Sequence, residues 1–168
     1  MKNSIRSSLI ITLVFVLASC ATQPSKLPPT ETLNDEQLAL HVLVDFLESL
    51  HDAKYDKAAQ LYGGTYETMT DHNPSIDPND HPALLRNACT INGAQCLQLK
   101  SAGLDKKVSD KEFVFKGEFL NTDGTLFVLG PCCGGSETDF PPQSVFYFTV
   151  VKSDENSFMV MDMPPYMP

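Results

Sequence analysis

The sequence predicts an α+β domain, helices first and antiparallel strands afterwards, behind a short export and anchoring segment. Three observations carry that reading. Between Leu33 and Tyr62 the apolar residues recur at three- and four-residue steps, the period of a helix face. From Leu97 onward they recur at every second residue, the period of a strand. Around these runs lie Asn-Pro, Asp-Pro, Asn-Gly and Asp-Gly pairs, which make turns. Helices in one half and strands in the other indicate a sheet covered on one face.

The first segment is unlike the rest. Met1 to Ser8 carries Lys2 and Arg6 and no acid, and Leu9 to Ala18 is apolar except for Thr12. A bilayer span takes about 20 apolar residues, so this run is too short to cross, but it has the length of a signal-peptide apolar region. It ends in Leu17-Ala18-Ser19-Cys20, which resembles the lipobox of bacterial lipoproteins. The resemblance implies that residues 1–19 are a signal peptide and that Cys20, then the first residue, carries diacylglycerol. The protein would be tethered to a membrane of the bacterial cell envelope, facing the periplasm or the exterior. An ordinary secretory signal with a chance cysteine, or an uncleaved anchor, is the alternative. Residues 20–32 read as lipid anchor and linker, because Pro24, Pro28 and Pro29 among small polar residues extend the chain and build no core. Residues 33–168 read as a single domain.

Asn34 is placed to cap a helix with Gln37 returning the bond, and Leu33 and Leu38 are spaced as a hydrophobic staple. Ala39, Val42, Leu43, Phe46, Leu47 and Leu50 form the apolar stripe of a helix over residues 35 to 51. His41, Asp45, Glu48 and Asp52 fall on the opposite stripe. A His/Asp pair four apart can ligate a metal; a solvated face is the simpler reading. A short second helix follows on Tyr55, Ala58, Ala59 and Tyr62, stopped by Gly63-Gly64. The wording Phe46-Leu47-Glu48-Ser49-Leu50, then Tyr55-Asp56-Lys57-Ala58-Ala59 and Leu61-Tyr62, resembles the opening of NTF2-like (cystatin-like) extracytoplasmic domains. That resemblance implies N-terminal helices packed on a curved antiparallel sheet of four to five strands.

Residues 71 to 82 form a turn-rich loop holding Asp71, His72, Asp77, Asp80 and His81. His72, Asp77, Asp80 and His81 are weak candidates for a divalent metal, since imidazole and carboxylate are its usual ligands. Turn chemistry is the competing reading: Asn73-Pro74 and Asp77-Pro78 initiate turns, and Asp80 caps a third helix over 81 to 90 with Pro82 in its first turn. No closed ligand motif is present, so no metal and no cofactor is called for.

In the second half, Leu97 and Leu99 begin a first strand, Phe113, Phe115 and Phe119 mark a second, and Leu126 to Leu129 a third. Val145 to Val151 is the strongest strand, and Phe158 and Val160 belong to the last, with Asp162 at its end. Asn121 to Gly124 reads as a hairpin turn and Ser153 to Asn156 as another. The residues after Pro164 read as a short extended tail.

With Cys20 assigned to lipid, Cys89, Cys96, Cys132 and Cys133 remain as disulfide candidates outside the cytoplasm. In a simple meander Cys96 and Cys132 lie at opposite ends of the sheet, which favours Cys89 with Cys96 and leaves Cys132 beside Cys133 in a glycine-rich loop. A vicinal disulfide there would be strained and would make a small apolar platform. Crossed pairing of the two segments is the alternative, since a strongly bent sheet undoes the parity.

The 168 residues carry 12 basic and 21 acidic side chains, a formal charge of −9, with 42% apolar residues and no Trp. Loss of Lys2 and Arg6 with the signal peptide moves the charge from −9 to −11. Such a body repels nucleic-acid phosphates and anionic head groups, so nucleic acid is excluded as partner and membrane attachment falls to the lipid. Two functions remain. One is a non-catalytic binding module, with an envelope protein or a small ligand as partner. The other is an NTF2-like pocket enzyme of the isomerase or dehydratase type, with an inward Asp or His as general base. Tyr147, Asp162, Tyr55 and Tyr62 are the polar residues on or beside apolar faces; the simpler reading is that the tyrosines end the core with the hydroxyl at its rim and that Asp162 lies on the solvent side of the last strand. A filled core favours the first function, and a deep pocket with an inward Asp or His the second.

Overall fold

The computed structural model describes residues 33–131, 135–138, 140–154 and 157–167. The expected signal peptide, Cys20, the linker, Cys132, Cys133 and part of the 153–156 turn lie outside the described residues. Among the described residues no helix is long and apolar enough to cross a membrane. Among the described residues four helices precede four antiparallel strands, so the α+β class holds.

Helix α1 (Asp35–His51) starts as its sequence dictates. The Gln37 amide donates to Asn34 Oδ1 at 2.8 Å, and the Asn34 amide donates to Gln37 Oε1 at 2.9 Å. Leu33, at the staple position, remains 51% exposed. Ala39, Leu43, Phe46, Leu47 and Leu50 are buried, whereas Val42 is only half-buried. Each fully buried Leu or Phe contributes about 2 kcal/mol. The helix ends with Ala53 at φ 58°, a left-handed position that is usually glycine.

Helix α2 (Tyr55–Leu61) stops before Gly63-Gly64 as expected, but without a left-handed cap. Tyr62 is extended and bridges Val160, and the Gly63 amide donates to the Val160 carbonyl at 2.9 Å. A Cβ on Gly63 would lie 2.7 Å from the Met159 Cβ, so close backbone approach is what requires glycine there. Helix α3 (Glu67–His72) has no counterpart in the sequence reading. It has six residues and buries only Met69, too little for a periodic signal. Helix α4 (His81–Thr90) is the helix expected there, with Asp80 Oδ1 accepting from the Ala83 amide at 3.1 Å. It ends at Thr90, and the turn that follows holds Gly93 at φ +88°.

The sheet is a simple meander, β1 (Gln98–Lys107), β2 (Glu112–Leu120), β3 (Phe146–Asp154) and β4 (Ser157–Val160), in that spatial order. Strand β1 runs well past Leu99, with register breaks at Leu99/Ser101 and Leu104/Lys106. Phe113, Phe115 and Phe119 of β2 face inward beside Phe146, Phe148 and Val150 of β3. Helix α1 packs against all four strands on that face.

One expectation needs correction. Leu126 to Leu129 is not a strand: Leu126 and Leu129 make single bridges, to Leu120 and Gln143, and only Phe127 is buried, its ring 5.8 Å from Phe146. The run lies between the turn at Gly124 (φ +81°) and Gly130-Pro131, and its two bridges go to different segments, so they do not join into a ladder. The third strand of the meander is β3. The tail from Pro164 onward is extended, as expected, and it is also paired. The Gln95 amide donates to the Pro165 carbonyl at 2.8 Å, the Met167 amide to the Gly93 carbonyl at 2.9 Å, and Ala94 bridges Tyr166.

Candidate functional site

The interior leaves little polar chemistry. Phe46, Phe113, Phe115, Phe119 and Phe148 are at most 1% exposed and meet Leu43, Leu47 and Leu50 across the layer. Among the described residues the buried polar side chains are Ser49 and Asn73. Ser49 Oγ donates back to the Asp45 carbonyl. Asn73 donates to the Met69 carbonyl at 2.7 Å and to Asn92 Oδ1 at 2.8 Å, and accepts from Asn87 at 2.9 Å. It therefore ties α3, α4 and the 92–93 turn together. Sequence reading assigned Asn73 only to a turn, since its partners come from distant positions.

The residues expected to carry a metal are employed locally. Asp77 accepts from the Asn79 backbone amide at 2.9 Å and from the Asn79 side chain at 3.1 Å, which holds its carboxyl below the usual range. Asp80 caps α4, His72 lies in the last turn of α3, and the His81 ring stacks on Tyr66 at 3.9 Å. On the outer stripe of α1, Asp45 meets His41 at 3.9 Å and Lys57 at 3.0 Å, and Asp52 meets Lys54 at 2.8 Å. Among the described residues no three His, Cys, Asp or Glu side chains converge on a metal position.

Cys89 and Cys96 pair, with Cα atoms 5.5 Å apart, closing the loop between α4 and β1. His51 Nδ1 lies 3.2 Å from the Cys96 carbonyl and holds that loop to the end of α1.

The tyrosines divide between two places. Tyr62 stacks on Phe46 at 5.6 Å and meets Tyr66 edge-on at 5.1 Å, and Tyr66 stacks on His81. Burial, then Tyr166 and Asp162, push the Tyr62 phenol up to about 12; burial, then Tyr62, pushes Tyr66 up to about 12. Tyr62 donates to the Thr65 carbonyl at 3.2 Å, whereas the enclosed Tyr66 hydroxyl has no hydrogen-bond partner among the described residues. Asp162 accepts from the Thr149 amide at 2.6 Å, extending the pairing beside β4. Tyr55 is half-buried on α2.

Tyr147 stands apart from this cluster. It lies on the outer face of β3, 55% exposed, in register with Lys116 of β2, which is itself in register with Gly103 of β1. The neighbouring row holds Ser101 and Glu118, and Val145 closes it just before β3. Both Lys100 and Ser101 donate to Glu118 Oε2, at 3.3 and 3.0 Å, and these bonds hold its carboxyl below the usual range. A cleft of about 380 Å³ is lined by Ser101, Ala102, Gly103, Lys116, Glu118 and Val145, and Tyr147 stands outside this lining, in register with Lys116.

No protein-family model, no curated protein and no solved structure matches the chain.

Proposed function

We propose that the chain is a membrane-anchored extracytoplasmic lipoprotein whose domain is a non-catalytic binding module of NTF2-like (cystatin-like) fold. The observation that carries the binding reading is the filled inner face of the sheet. Phenylalanines and leucines occupy the place where a pocket enzyme of this shape would hold its cavity and general base. The ionisable and aromatic groups left over stand on the surface, where recognition takes place. The packing of α1 across all four strands supports the NTF2-like arrangement that its sequence resembles. The anchoring half rests on Leu17-Ala18-Ser19-Cys20 and on the apolar run before it. A cysteine carrying two or three acyl chains is held stably where one chain binds only marginally.

Labelled palmitate tests the anchor in a bacterial host expressing the full chain. The wild type takes up label and fractionates with membranes, while Cys20→Ala loses both. Label that persists in Cys20→Ala refutes lipidation at this residue.

A further inference from the structure

The outer face of the sheet carries side chains that neither packing nor edge protection requires. Lys100 and Lys106 lie on β1, an edge strand, where lysines keep other strands from pairing, and Lys100 is already neutralised by Glu118. Lys116 and Tyr147 lie on the two interior strands, which have no edge to defend. Lys116 makes no ion pair or hydrogen bond among the described residues. Tyr147 exposes an aromatic ring opposite it. On the other side, nothing lies within 4 Å of where a Cβ of Gly103 would project, so the cleft is open there.

Adjacent strands lie about 4.8 Å apart, so these three strands present a platform roughly 10 Å wide. Its chemistry is specific. Lys116 supplies an unpaired cation. Glu118 supplies an acceptor, because its two bonds both fall on Oε2 and leave Oε1 for a hydroxyl donor. Tyr147 supplies a flat apolar surface, and Val145 supplies a wall.

We infer that this platform binds an acidic sugar: a ring whose C–H face lies on Tyr147, whose hydroxyl donates to Glu118 Oε1 and whose carboxylate pairs with Lys116. The cleft of about 380 Å³, lined by Lys116, Glu118 and Val145 among others and flanked by Tyr147 in register with Lys116, is near the lower end of small-ligand sites and suits one ring better than a peptide. The inference deepens the binding-module reading and rests on it, but it does not depend on the lipid anchor.

The test is amide-resolved NMR on the full chain, titrated with glucuronate and, separately, with glucose, which lacks the carboxylate. Glucuronate shifts Gly103, Lys116 and Tyr147 together, and glucose binds the same residues about tenfold more weakly, as expected for loss of one charge pair. Lys116→Ala removes the difference between the two sugars, and Tyr147→Ala weakens both, with thermal midpoints unchanged because both side chains are on the surface. Absence of shifts with either sugar overturns the inference, as does equal affinity for the two in the wild type. A Glu-rich peptide that shifts these residues when glucuronate does not also overturns it, and assigns the face to an acidic protein segment. A chain that takes palmitate on Cys20 yet ignores glucuronate sinks the sugar inference alone.

Discussion

Tyr66 shows how far single residues can be followed from sequence to energy. Its hydroxyl is enclosed without a partner, and an unsatisfied buried group costs about 1 kcal/mol or more. Tyr66→Phe keeps both ring contacts and removes that cost, so chemical denaturation is expected to show a gain of about 1 kcal/mol; a loss would mean that the hydroxyl has a partner in solution. Tyr62→Phe has no such gain, since its hydroxyl already donates to Thr65. The caps at Asn34 and Asp80 were legible because donor and acceptor lie three residues apart. The fate of Tyr66 was not, because Phe46, Tyr62 and His81, which build the stack, come from α1, the end of α2 and α4.

At the scale of elements, legibility followed regularity. Helix α1 was readable to the residue because its stripe runs unbroken for 17 positions. Strand β1 was not, because two register breaks move side chains from one face to the other and erase the period of two. The same breaks hid the platform: Tyr147 was picked out in the sequence, but which residues of β1 stand in line with it cannot be counted through a bulge. The run 126 to 129 misled in the opposite sense, having strand composition while its two bridges go to different segments. Between α4 and β1 the sulfur bridge replaces regular structure, joining residues seven apart. Constraining so short a loop contributes about 2.5 kcal/mol. The double variant Cys89→Ser/Cys96→Ser is expected to lose that amount in denaturant titration, and reducing agent to lower the wild type to the same level without lowering the variant further.

For the molecule as a whole, the buried phenols set an alkaline limit. Tyr62 and Tyr66 hold their protons up to about pH 12 in the folded state, while an unfolded tyrosine loses its proton near about pH 10. The unfolded chain therefore binds fewer protons between these values, and stability falls as pH rises from about 10 to about 12. Denaturation midpoints measured across that window are expected to decline, and to decline less steeply in Tyr66→Phe; an identical slope would place the loss in other groups. Pairing of residues 165–167 with 93–95 also sets an order on synthesis. A ribosome that has released Cys96 has yet to make the partner of Ala94, so the sulfurs can join on a loop still lacking one side. A premature stop before Pro165 would yield a chain able to oxidise but unable to zip shut. The Gln95 amide and the Gly93 carbonyl would then lose the partners that the tail supplies.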